Sequence, residues 1–306
     1  MVETHGLNLK SIYYLSEILE FYLSINLMKT TKKNVNLIYD VWLHKGEDTL
    51  YYLQKWFDVI AFEADPELVQ FNREKYAHYI SKWSLTIVEW AIVPGKNTQT
   101  QVSFYKNKDK SVWWTVANER ASRNQNLWTH SELITVQTIN FVEQIEKYWV
   151  PYYIKIDIEW MDTVCLNAFL SFEHKPDYIS IESEKVYFDK LLQEFELFEQ
   201  LWYTWYKTIN QLDVINQIEP TNWEWNKVWE KFIHWSSWLF GKDLPWARKT
   251  KQDALSRYRT IFRYYERFGD SSFLKNNYPW RLIRKILRKF FHIPWWYDTH
   301  AKHKSS

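Results

Sequence analysis

Residues 39–69 read YDVWLHKGEDTLYYLQKWFDVIAFEADPELV, and this stretch decides the fold. The run ending at Val41 is apolar enough for a buried strand, residues 47–55 have helical spacing, and "DVIAFEA" at 58–64 is a second strand. Pro66 sits at a first-turn position and opens a helix over 66–80. Strand, helix and strand at this spacing form a βαβ unit. The bend after its first strand is where a nucleotide-binding sheet normally needs glycine, yet Trp42 stands there.

The alternation continues outward. "SLTIVEWAIV" (84–93) predicts a third strand, while "TQVSFYKN" and "LITVQTI" predict added strands around a polar loop, 106–131. A helix over 140–148 leads to the strand "YYIKIDIE" (152–159), then a helix over 161–171 and the strand "DYISIES" (177–183). A helix over 187–201 and a strand at 206–209 complete the pattern, which implies a mostly parallel, doubly wound α/β sheet with helices on both faces. Residues 8–29 have helical apolar spacing, so 1–30 reads as an N-terminal helical extension and 31–240 as the main domain. Residues 241–306 carry basic, helix-forming stretches without strand signals and read as a helical C-terminal extension. Within it, 281–291 alternates apolar and cationic residues, which suits a helix packed on the domain or weakly associated with an anionic membrane surface.

Composition holds one anomaly: 20 Trp against 5 Gly. Ordinary usage predicts about 7% Gly, or roughly 21 in a chain this long, so the tryptophan surplus matches the glycine deficit. Many tryptophans also fall where a turn or a helix C-terminus favours positive φ, as in "QKWFDV", "SKWSLT", "EKYWVPY", "EQLWYTWYK", "PTNWEWNKVWEK" and "DLPWAR". The codon UGA is read as glycine in some bacterial lineages and as tryptophan under a common alternative translation table. The expectation is that most of these tryptophans stand for glycine; the alternative is a protein that is Trp-rich in fact.

A formal net charge of +2 gives no global pull toward nucleic acid, and no apolar run reaches the length of a membrane span. The first residues lack a signal-peptide layout, and Cys165, the one cysteine, can form no intrachain disulfide, so the expected compartment is cytoplasmic.

Ligands of doubly wound sheets bind at the carboxyl ends of the strands. Asp40, Glu63, Glu89, Asp157 with Glu159, and Glu182 all fall at such ends, which predicts a site for hydroxyl or amine groups or for a metal. Glu63 follows Asp40 at about the spacing of an acidic residue that meets a ribose hydroxyl. With glycine at position 42 the bend reads D-V-G-L-H-K-G, short of the full G-x-G-x-x-G of a diphosphate site. The expected cofactor carries ribose and adenine without a diphosphate.

Residues 39–69, with Trp42 and Trp56 as glycine, resemble the opening of FkbM-type methyltransferases. "YIKIDIEWMD", with Trp160 as glycine, resembles that family's K-I-D-[IV]-E-G motif, and "PDYISIE" its following strand. The resemblance covers about 34–210. It implies a Rossmann-like class I methyltransferase fold, S-adenosyl-L-methionine as cofactor, and O-methylation of a sugar or other hydroxylated acceptor, either a small molecule or a glycan. It places Asp40, Trp42 and Gly46 around the methionine part of the cofactor, Glu63 at the ribose, and Glu89 with Ala91 near the adenine. Asp157 and Glu159 fall beside the transferred methyl.

Candidate bases for the acceptor hydroxyl are Asp157, Glu159, Glu182 and His44, and Asp157 with Glu182 could instead hold a divalent metal. Ser111, Trp113 and Thr115, in the long polar loop, are candidate cofactor or acceptor contacts. Two alternatives stand beside this reading: an NAD-dependent Rossmann oxidoreductase, and a non-catalytic interaction module on the same fold.

Overall fold

The central strands are buried along most of their length, yet the sheet they build has two unlike faces. The computed structural model describes residues 28–93, 100–107, 131–158, 161–184, 187–221, 223–228, 232–233, 236–237, 239–268 and 297–306. In chain order its elements are β1 (Lys33–Val41), α1 (Glu47–Gln54), β2 (Asp58–Glu63), α2 (Pro66–Lys75), α3 (Ala77–Ser81), β3 (Leu85–Glu89) and β4 (Ala91–Ile92). There follow β5 (Gln101–Asn107), β6 (Ser131–Ile139), α4 (Phe141–Tyr148), β7 (Val150–Ile156), α5 (Asp162–Leu170) and β8 (Tyr178–Glu182). The last are α6 (Phe188–Gln200), β9 (Tyr203–Asn210), α7 (Lys251–Phe268) and β10 (Tyr297–His303).

Seven strands form the main sheet in the order β3-β2-β1-β7-β8-β10-β9, and β4-β6-β5 form a smaller one. Strands β3 to β8 of the main sheet pair in parallel, whereas β10 runs antiparallel to both β8 and β9. A parallel sheet whose strand order switches beside β1, and which takes one antiparallel strand before its last edge, is the Rossmann-like class I methyltransferase fold. The six-stranded dinucleotide order lacks that inserted strand.

Register explains the two faces. Asp40 pairs with Lys155, Lys155 with Ser180, Ser180 with His300, and His300 with Lys207, so one row of polar side chains crosses a single face. The row below it holds Ile38, Tyr153 and Tyr178, and the row above, at the carboxyl edge, holds Glu182 and Asp298 with Asp157 continuing β7. The opposite face presents Tyr39, Val41, Ile154, Ile156, Ile179 and Ile181, all buried, under α4, α5, α6 and α7. On the polar face α1 and the residues around Leu239, Phe240 and Leu244 cover the aromatic row. Lys55 at the end of α1 anchors that covering segment through Glu219 at 3.1 Å and Asp243 at 2.5 Å.

Two expectations change. The strand predicted over 84–93 breaks at Trp90, where φ is 134°, so β3 stays in the main sheet and β4 crosses to the smaller one. The C-terminal segment is not helical throughout: residues 297–303 are β10, inside the main sheet. Its alternation escapes a hydrophobic pattern because Asp298, His300 and Lys302 lie on the polar face, while only Tyr297, Thr299 and Ala301 face the apolar core. Near the N-terminus Lys29 makes a parallel bridge to Phe172, so extended backbone stands where the expected helix would end. The rest of that helix, and the amphipathic stretch 281–291, lie outside the described residues.

The backbone singles out tryptophan. Among the described residues eight non-glycine positions have positive φ, and seven of them are Trp42, Trp56, Trp83, Trp90, Trp149, Trp202 and Trp225. Such a conformation is uncommon for any L-residue and a genuine outlier for a bulky one. Trp56 and Trp83, 70% and 86% exposed, place their indoles in water rather than in the core. Trp246 differs: its backbone is not left-handed, and its indole N–H donates to the Gly241 carbonyl at 2.7 Å while the ring packs near Tyr178.

Candidate functional site

The carboxyl edge of the polar face concentrates the chain's buried charge. Lys155 projects from β7 beneath this edge, with its Nζ 3.0 Å from Asp48, 3.7 Å from Asp40 and 3.9 Å from Asp157. Burial alone would push the Lys155 pKa down, but Asp48, Asp40 and Asp157 hold it well above the usual lysine value. One ammonium thus faces several carboxyls.

Asp40 is fully buried. Thr49 donates to its Oδ2 at 2.6 Å, while its Oδ1 accepts no hydrogen bond. Burial outweighs Lys155 and Thr49 and raises its pKa to about 6. Asp157 is pushed well above the carboxylate range by burial, opposed by Lys155 and reinforced by Glu182 and Asp298. Asp298, the register partner of Glu182, is raised by burial and by Glu182, against Lys155 and a hydrogen bond from the Gln211 side-chain amide. Carboxyls this close cannot all be ionised without a cation between them.

The loop between β1 and α1 is braced from β2 and α2. Glu63 accepts the His44 N–H at 2.9 Å on Oε2, and the Ala64 and Asp65 N–H groups at 2.9 and 3.0 Å on Oε1. Burial still wins over these donors and raises its pKa to about 7. Oε1 is filled, and Oε2 has room for one further donor, such as a hydroxyl. Asn72 donates to the His44 carbonyl at 2.6 Å, and the Tyr76 hydroxyl to that of Gly46 at 2.7 Å. Gly46 has φ 77°, and a Cβ there would lie 2.4 Å from the Tyr76 ring, so only glycine fits.

Position 42 is the exception to this order. Its φ is 112°, and the indole lies on the His44 ring at 4.9 Å with Lys155 Nζ 5.1 Å from its centroid. The side chain therefore covers the Lys155 cluster from the loop side. Asp40 Oδ1 and the last acceptor position of Glu63 could take donor groups of a ligand, and the indole at 42 occupies the space beside the Lys155 cluster.

Of the remaining expected site residues, Glu89 pairs in register with Glu63 and forms an ion pair with Arg73 on α2 at 3.0 Å. Ala91 is buried in β4 against Val136. His44 is buried, with its Nδ1 3.4 Å from Glu47, and lies on the β1–α1 loop rather than among the carboxylates around Asp157. Asp157 and Glu182 do come together on neighbouring strands. Among the described residues no three His, Cys, Asp or Glu side chains are grouped to hold a metal ion, and Lys155 already supplies positive charge beside Asp157. Glu159, Ser111, Trp113 and Thr115 lie outside the described residues.

Three residues that sequence reasoning missed are Asp48, Lys155 and Asp298. The alternation Tyr153, Lys155, Asp157 against Ile154, Ile156 carried the signal for Lys155. Nothing local marks Asp48, which reaches the cluster only through the packing of α1.

No family model and no curated protein sequence matches the chain. Among solved structures it is similar to the methyltransferase FkbM from Methylobacillus flagellatus KT, at 15% identity and TM-score 0.37, covering 67% of this chain and 52% of that one. The chain thus spans about half the length of that protein. It is also similar to a SAM-dependent methyltransferase from Archaeoglobus fulgidus, at 10% identity and TM-score 0.34, covering 95% and 93% of the two chains. A putative sarcosine dimethylglycine methyltransferase from Galdieria sulphuraria matches at 7% identity and TM-score 0.35, with 95% and 84% covered. Scores of this size leave the fold to be read from the strand order itself. No helix among the described residues is long and apolar enough to cross a membrane.

Proposed function

We propose that the chain is an S-adenosylmethionine-dependent methyltransferase whose acceptor is a hydroxylated small molecule or glycan. The observation that carries this reading is the carboxyl-lined group around Lys155, in which the buried Asp40 Oδ1 accepts no hydrogen bond. A sulfonium compound with an α-amino group is cationic at its reacting end and suits such a cleft. A nicotinamide dinucleotide brings a diphosphate, which the same carboxylates repel and which has no glycine-rich cradle here.

The residues divide the work. Asp40 Oδ1 accepts from the ligand's ammonium, and Glu63 Oε2 accepts from a ribose hydroxyl. Gly46 lets the loop pass close to Tyr76, and residue 42 lines the methionine end. Glu89 and Ala91 border the adenine. Bound here, S-adenosylmethionine supplies an electrophilic methyl on a positively charged sulfur. Asp157, with its raised pKa, holds the acceptor hydroxyl and takes up its proton, while Glu182 holds a neighbouring group of the acceptor. By the family resemblance Glu159 falls beside the transferred methyl, and Ser111 and Trp113, from the long polar loop, add further contacts in this reading.

Position 42 is glycine in the cell in this reading, as are the other left-handed tryptophans. Each left-handed tryptophan costs about 1 kcal/mol or more, so seven of them would take up much of a net stability of roughly 5–15 kcal/mol. UGA read as glycine accounts for the seven positions, and Trp246 is then a true tryptophan.

The test is a thermal melt of protein made with glycine at the seven positions. S-adenosylhomocysteine at about a hundred times its dissociation constant raises Tm by roughly 5–10 °C, and NAD leaves it unchanged. A rise with NAD alone would overturn the assignment.

A further inference from the structure

We infer that Ser237, in the segment between β9 and α7, is a positioning residue for the Lys155 cluster. It rests on the methyltransferase reading and extends it to a part of the chain that reading leaves unused. Ser237 holds both oxygens of Asp48: its N–H donates to Oδ1 at 2.5 Å and its hydroxyl to Oδ2 at 2.7 Å. Asp48 Oδ2 is also the nearest carboxylate to Lys155, at 3.0 Å. Ser237 is itself buried and clamped by Gln217, whose amide donates to the Ser237 carbonyl at 3.0 Å and accepts the Leu239 N–H at 2.6 Å. Asp48 is therefore held in one orientation from outside the sheet.

The consequence is where the ammonium sits. Held by Ser237, Asp48 draws Lys155 toward α1 and keeps it 3.7 and 3.9 Å from Asp40 and Asp157, beyond hydrogen-bonding distance. Those two carboxyls keep raised proton affinity, Asp157 for the acceptor's proton and Asp40 for exchange against an incoming cation. With the hydroxyl gone, Asp48 keeps only the Ser237 N–H on Oδ1, and its Oδ2 is no longer held in place against Lys155. The ammonium then moves onto Asp40 and Asp157 and ionises them before any ligand arrives.

Calorimetry of S-adenosylhomocysteine binding in two buffers of different ionisation enthalpy, at about pH 6.5, reads the proton count directly. The background is the chain with glycine at the seven left-handed positions. That parent releases protons on binding. Ser237→Ala lowers the release by the Asp40 share, about a quarter at this pH, since Glu63 still gives up its proton, and Ser237→Thr, which keeps the hydroxyl, retains it. Unchanged release in Ser237→Ala, or equal loss in both variants, would overturn the positioning role, because a structural defect alone changes affinity and not the proton count. A parent that binds no S-adenosylhomocysteine removes the methyltransferase reading itself, and the inference with it.

Discussion

Lys155 and Asp40 face each other as register partners on β7 and β1, with the ammonium nitrogen 3.7 Å from Asp40 Oδ1. This pairing sets the electrostatics of the whole edge, since Asp48 and Asp157 share the same cation.

Replacing Lys155 with Met leaves three carboxyls without their cation. The expected loss is about 3–5 kcal/mol near neutral pH, read from urea unfolding. The loss shrinks as pH falls, because Asp40, with its pKa raised to about 6, protonates and no longer needs the partner. A loss that stays constant down to about pH 5 would separate the cost from charge.

Trp83 and Trp246 should respond oppositely to glycine. Trp83→Gly relieves a φ of 62° at a fully solvated indole and should raise stability by about 1 kcal/mol. Trp246→Gly removes an indole hydrogen bond and half-buried packing and should cost roughly 2–3 kcal/mol. Melting curves of the two variants check the pair, and destabilisation by both would count against glycine at position 83.

Gly46→Ala places a methyl against the Tyr76 ring at a left-handed φ of 77°. A loss of roughly 1–3 kcal/mol is expected, with weaker S-adenosylhomocysteine binding because the whole β1–α1 loop must shift. Tyr76→Phe combined with Gly46→Ala should not restore it, since the ring carbon itself makes the clash.

Cofactor-product affinity should rise as pH rises through the range set by Asp40 and Glu63, at about 6 and about 7, and level off above it. The sign follows from the ligand donating to both groups, which favours their ionised forms. Titrations across that range read it, and affinity falling with pH would reverse the assigned roles.

The sequence showed the alternation of strands and helices and put Asp40, Glu63, Asp157 and Glu182 at the carboxyl edge, because period-2 patterning and βαβ spacing are local signals. It showed the left-handed positions through their neighbours, as at Trp56 and Trp83. It did not show β10, because Asp298, His300 and Lys302 lie on the polar face of the sheet and break the apolar pattern. Asp48 and Ser237 escaped for a different reason: they lie 189 residues apart and meet only through tertiary packing. Trp246, beside Pro245, looked like the other suspect tryptophans, and its backbone, its hydrogen bond to Gly241 and its packing near Tyr178 set it apart.

The central claim is that this cleft holds S-adenosylmethionine once position 42 is glycine. Isothermal titration of S-adenosylhomocysteine into the chain as written and into its Trp42→Gly variant tests it most directly. Binding to the variant, with none or far less to the chain carrying Trp42, is the expected result. Binding of NAD in place of S-adenosylhomocysteine, or of neither ligand by the variant, would contradict it.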